Sequence, residues 1–104
     1  MATEAQTRLN LRSTEEGGMR RPLQTPTPSL VFRVISEGDL GPGLVGVIHT
    51  ESGRPLIPGE SVAAKVVFPE AEANDFVRPG ARFALWNLRV VGDAEISAVR
   101  GAGR

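Results

Sequence analysis

Few residues in this chain can do chemistry, and their spacing argues against most reactions. There is no Cys, which removes disulfides, thiolate metal ligands and thiol nucleophiles together. The one histidine, His49, has Glu51 two residues on and no other Cys, Asp or Glu at ligand spacing. A multi-histidine metal site is therefore excluded, and an imidazole base would lack an orienting partner; His49 reads as a solvated strand residue. Glu15-Glu16 and Glu70/Glu72 could be cast as carboxylate pairs for acid–base work, but that work needs a cleft, and 104 residues with no large insertion offer little of one. Gly41-Pro42-Gly43-Leu44-Val45-Gly46 spells GxGxxG. A dinucleotide loop must follow a strand and open a helix, whereas Pro42 and the run Val45, Val47, Ile48 open a strand, so the motif reads as a turn. No GxxxxGK[ST] is present, and no nucleophile–base pair can be assembled. The expectation is a noncatalytic protein with no cofactor and no metal.

Binding residues are easier to find. Thr14-Glu15-Glu16-Gly17-Gly18-Met19-Arg20-Arg21-Pro22 contains two consecutive glycines, which permit positive φ and a close-approaching loop. Its acids and its Arg20-Arg21 pair give it fixed charges of both signs; the plainer reading is a surface connection between two strands. Trp86, the largest side chain, alternates outward from Phe83 and Leu85, and exposed Trp and Arg are enriched at interface hot spots. The plainer reading there is that the strand twists and Trp86 caps one end of the fold. Glu16, Arg20, Arg21, Trp86 and Arg89 are the candidate partner-binding residues.

The elements that must carry these residues follow from composition and pattern. At 104 residues, 40% hydrophobic and 23% charged, the chain suffices for one domain, 1–104, with a core over about 4–100. Twelve Lys+Arg balance twelve Asp+Glu, so a nonspecific grip on DNA or on an anionic membrane is not expected. The charged opening, Glu4 to Arg21, leaves no apolar run for a signal peptide, and no window approaches a spanning helix; a soluble, cytoplasmic protein is expected. Eleven of the twelve basic residues are Arg, in keeping with a GC-rich bacterial genome.

Twelve Gly and eight Pro divide the chain into short runs rich in Val, Leu, Ile and Phe, none with sustained helical periodicity. Six read as strands: Ala5–Ser13, Ser29–Ser36, Gly43–Thr50, Ser61–Phe68, Ala81–Asn87 and Val90–Val99. Each has one apolar and one mixed face, the pattern of an antiparallel sheet with one side in water. The fold class predicted is all-β, a single six-stranded antiparallel β-barrel, since closure removes exposed edges. Gly46, Ala64, Gly92 and Ala94 are the small inward residues of its crowded interior, and Ala98 is expected on the same inward face as Gly92, Ala94 and Ile96. One helical turn is expected in Glu70–Phe76.

Several blocks, taken in order, resemble a known family. Glu15-Glu16-Gly17-Gly18, with Pro22 after three further residues, is similar to the opening of the C-terminal barrel of translation elongation factor Tu. Phe32, then Gly46-Val47-Ile48, Leu56-Ile57 and Pro58-Gly59-Glu60-Ser61-Val62 follow. Val77-Arg78-Pro79-Gly80-Ala81-Arg82-Phe83-Ala84-Leu85 and Val90-Val91-Gly92 complete the match, over roughly 4–100. The resemblance implies a six-stranded barrel without the GTPase domain and second barrel of the full factor, and a role beside tRNA or translation proteins. The family's RNA-contacting Arg after Gly-Gly is Met19 here, with Arg20 and Arg21 displaced by one and two. Its Gln entering the second strand is Ser29, and its Gly-rich tip before the last strand is Asn87-Leu88-Arg89. Fold residues are kept while the RNA-facing pattern is not, and fold alone does not carry function.

The leading expectation is thus a stand-alone binding module for a protein partner, such as a translation-related or GTPase component. The alternative is an RNA-binding accessory of translation, with Arg20 and Arg21 on phosphates of tRNA or the ribosome. A homodimer through outer positions such as Val47 or Val67 is the other partner to consider.

Overall fold

Seven strands form one antiparallel sheet in a computed structural model that describes residues 3–100. They are β1 (Thr3–Leu11), β2 (Val31–Ser36), β3 (Asp39–Val45), β4 (Val47–Thr50), β5 (Ser61–Phe68), β6 (Arg82–Trp86) and β7 (Val90–Arg100). Their order across the sheet is β3-β2-β6-β7-β1-β5-β4. The helical elements among the described residues are three short 3-10 turns, Thr14–Glu16, Glu51–Gly53 and Ala71–Asp75, the last where one helical turn was expected. Positions 1–2 and 101–104, the ends of the expected domain, lie outside the described residues.

The all-β expectation holds; the closed six-strand count does not. The run expected as one strand, Gly43–Thr50, is two strands parted at Gly46, and the first begins earlier, at Asp39. The hydrogen-bonded ladder is also open, with β3 and β4 as its edges. Both differences have one cause. A β-carbon on Gly46 would lie 2.7 Å from Val66 Cγ1, 2.9 Å from Phe32 Cε1 and 3.0 Å from Phe68 Cε1, closer than real side chains approach, so only glycine lets the backbone cross here. The chain leaves β2 as a partner on one side of Gly46 and takes up β5 on the other. Val45 and Val47, on opposite edges of the ladder, are consequently within about 7.6 Å, two Cα spacings, and the sheet curls round its core to bring them there.

Each edge is protected. Outside β4, Thr27 and Ile48 exchange backbone bonds of 3.1 and 2.8 Å, and Leu23 and Leu56 exchange bonds of 2.9 and 2.8 Å, so the 23–27 segment covers that edge. β3 carries Gly41, Pro42 and Gly43 instead, poor material for further pairing. The GxGxxG stretch is therefore strand and bend rather than turn. The β2–β3 turn lies before it, at Glu37 (φ 53°) and Gly38 (φ 84°), the paired positive φ values of a two-residue hairpin.

Inward positions form one apolar cluster: Leu9 and Leu11, Leu30 and Phe32, Leu44 and Ile48, Val66 and Phe68, Phe83 and Leu85, Ala94 and Ile96. Phe32 meets Phe68 and Phe83 edge-on, with ring centroids 5.1 and 6.0 Å apart, an arrangement worth about 0.5–1.5 kcal/mol per pair beyond burial. Except that Ala84, expected on the outer face, is buried, the alternation read from the sequence matches up to Ser97. There β7 carries one extra residue, since Gln6 pairs with Ala98 but Thr7 pairs with Ile96. The bulge reverses the faces beyond it: Ala98, expected inward, is exposed, and Val99 packs against the core in its place.

Gly46→Ala should destabilise the protein by about 1–3 kcal/mol through overpacking. Thermal unfolding checks this as a drop in Tm of about 4–8 °C per kcal/mol for a domain of this size.

Candidate functional site

The loop after β1 is built rigidly from its sequence. Ser13 caps the Thr14–Glu16 turn: its Oγ accepts from the Glu16 amide at 3.2 Å, an N-cap bond, and donates to Glu16 Oε1 at 3.0 Å. Glu16, expected to bind a partner, is thus engaged in its own loop. The two glycines divide the work expected of the pair. Gly17 takes φ 95°, the left-handed stop of the turn. Gly18 makes the close approach, its amide donating to the Ser13 carbonyl at 2.8 Å, and a β-carbon there would fall on the backbone carbonyl of Arg12. Met19 is buried in the core while Thr14 Oγ1 donates to its carbonyl at 2.7 Å. The next two residues, Arg20 and Arg21, are left exposed.

Opposite this loop stands the β6–β7 turn, Asn87-Leu88-Arg89. At its base β7 carries an extra residue, since Leu85 pairs with Gly92 but Trp86 pairs with Val90; the bulged residue, Val91, is buried. Arg89 Nη2 donates to the Gly18 carbonyl at 3.2 Å, tying turn to loop. Between them opens a groove of about 560 Å³, lined by Arg20 and Arg21 on the loop, Arg89 on the turn, and apolar Met19, Leu23 and Val91 among others, a size common in ligand clefts. No acidic residue lines it. The two ion pairs among the described residues are Lys65–Glu4 and Arg82–Asp93, and neither involves a guanidinium group of the groove.

Leu88, at the tip of the turn, was not singled out from the sequence. It is 90% exposed and has φ 64°, left-handed backbone that costs a leucine about 1–2 kcal/mol. Its signal was a three-residue turn with no glycine, which forces positive φ on a residue that resists it.

Trp86 is elsewhere. It is half-buried on the outer face of the sheet, where the ladders line up Val90, Trp86, Val31 and Val45 across four strands. The Arg33 guanidinium lies 5.0 Å from its ring centroid, a cation–π contact, and also donates to the Gly41 carbonyl from Nε (3.2 Å) and Nη2 (3.1 Å). Of the five sequence candidates, Arg20, Arg21 and Arg89 are brought together; Glu16 and Trp86 are not among the groove's lining residues. Val47 and Val67 face each other across β4–β5, half-buried. His49 pairs with Lys65, and Glu70 is exposed while the side chain of Glu72 lies outside the described residues. Among the described residues no three His, Cys, Asp or Glu gather as metal ligands, and no helix is long and apolar enough to cross a membrane.

Compared with known proteins, the chain matches no family model and no curated protein. The likeness to the elongation factor Tu barrel therefore rests on its residue blocks.

Two stability changes follow. Gly18→Ala should destabilise by about 1–3 kcal/mol, because backbone rather than a flexible side chain must yield, and denaturant unfolding reads this as a lower midpoint. Leu88→Gly should have the opposite sign, raising Tm by a few degrees through relief of about 1 kcal/mol of strain.

Proposed function

We propose that this chain is a noncatalytic binding module, acting in the cytoplasm, that engages an acidic site on a protein partner through the groove between the 18–23 loop and the β6–β7 turn. One observation carries the reading: Arg20, Arg21 and Arg89 converge on a single groove that contains no carboxylate, in a protein whose overall charge is zero. A local positive site on a neutral body favours a specific acidic surface over polyanions in general. The loop is pinned by the Ser13–Glu16 bonds and the Arg89–Gly18 bond, so little ordering has to be paid for on association.

RNA is the less favoured ligand on chemical grounds. Single-stranded bases are held by stacking on aromatic rings, and no aromatic residue lines the groove. The position where the resembling family places an RNA-contacting Arg is Met19, which is buried. The reading keeps the family likeness at the level of architecture: with 39–50 counted as a single strand bent at Gly46, the wrapped sheet is taken as a six-stranded barrel of the elongation factor Tu C-terminal kind.

The test is a tagged pull-down from native lysate, with and without RNase, comparing wild type with Arg20→Glu/Arg21→Glu. Both positions are exposed, so the double variant should keep its circular dichroism spectrum. Proteins retained by wild type after RNase should fall by at least about tenfold in the variant, a loss of about 1.4 kcal/mol. A column emptied by RNase, or equal retention by the variant, overturns the proposal.

A further inference from the structure

We infer that the groove's ligand is an extended segment of the partner protein that joins acidic side chains to apolar ones, and that Leu88 is the residue gripping the apolar part. This rests on the groove reading above and adds the partner's chemistry to it. Leu88 has no role in the fold: it is 90% exposed and absent from the core cluster. Its left-handed φ of 64° would suit glycine better. Left-handed backbone at a residue other than glycine persists only where its surroundings hold it, and such positions cluster at sites that touch a ligand.

Its surroundings say what that contact is. Leu88 lines the same groove as Arg20, Arg21 and Arg89, and Arg89 is its neighbour in the chain. The remaining lining includes Met19, Pro22, Leu23 and Val91, aliphatic groups that can take a side chain but cannot stack a base. Cations on both walls and aliphatic surface between them fit a peptide that alternates carboxylates with Leu, Ile or Val. A simple polyanion would satisfy the arginines and leave Leu88 in water. An anionic bilayer is flat, and a concave site matches a segment better than a plane.

Fluorescence anisotropy with defined probes tests this. The first probe is a dye-labelled octapeptide alternating Glu and Leu; its comparisons are the same peptide with Gln for Glu, an octapeptide of Glu and Ser with equal charge, and a single-stranded RNA octamer. The Glu/Leu peptide should bind wild type at least tenfold tighter than each comparison. Leu88→Gly and Leu88→Ser should abolish its advantage over Glu/Ser while the circular dichroism spectrum is kept. Arg20→Glu/Arg21→Glu should weaken both acidic peptides. If Glu/Ser binds as well as Glu/Leu, or the Leu88 variants leave their ratio unchanged, the inference fails while the groove reading stands. If neither acidic peptide responds to Arg20→Glu/Arg21→Glu, or no peptide binds, the groove reading fails with it. Equal or tighter binding of the RNA, or of vesicles containing phosphatidylserine, overturns the peptide assignment.

Discussion

Gly46 crosses the core where Phe32, Phe68 and Val66 leave no volume for a β-carbon, and the rest of the sheet is arranged around that crossing. On one side the chain pairs with β2, on the other with β5, so two covalently adjacent strands end up as the two edges of a seven-stranded ladder. A sheet whose edges are one residue apart must curl, and curling is what gives the five other strands a common interior to fill. The Phe32–Phe68–Phe83 cluster supplies much of that filling and sets how close the backbone can come. The crowding that excludes a side chain at Gly46 and the packing that holds the sheet together are one and the same contact.

The binding groove inherits this order. Its loop hangs from the end of β1 and is locked by short-range bonds, the Ser13 cap on Glu16 and the Gly18 turn, before any arginine is placed. Burial of Met19 then fixes the exit of the loop, and the two following arginines project because the residue before them is anchored. On the other wall the Val91 bulge sets the turn that presents Leu88 and Arg89. Uncompensated charge, and an apolar side chain in the wrong backbone region, are both features that lower stability. They sit on segments held by the Ser13–Glu16 bonds and the Arg89–Gly18 bond, which is where such features can be tolerated and used.

Trp86 followed a different logic. Alternation from Phe83 and Leu85 pointed it outward correctly, but its partner in the folded chain is Arg33, whose guanidinium lies over its ring. The outward Trp is thereby part of a row with Val90, Val31 and Val45 on the face of the sheet, separate from the groove. Glu16 is similar: the hydroxyl of Ser13, three residues earlier, donates to its carboxylate and ties down an apparently free acid. Each residue's type was legible, and its partner was decided by neighbours in space or by local hydrogen bonding.

The sequence by itself determined the fold class, most inward and outward residues up to Ser97, several of the turns at Gly and Pro though not Gly41-Pro42-Gly43, which lies in β3, and the absence of any cysteine or multi-histidine chemistry. These depend on side-chain periodicity and on residue inventory, which are local. It also located Gly17-Gly18 as a place of positive φ and close approach, since glycine's freedom is intrinsic to the residue. Only tertiary structure decided that one apparent strand is two, that a bulge at Ser97 exchanges Ala98 for Val99, and that Arg89 comes to face Arg20 and Arg21 across a groove. The reason is physical: Arg89 lies some seventy residues along the chain from Gly18, whose carbonyl it reaches. No periodicity carries information over that distance, whereas packing around a shared core does.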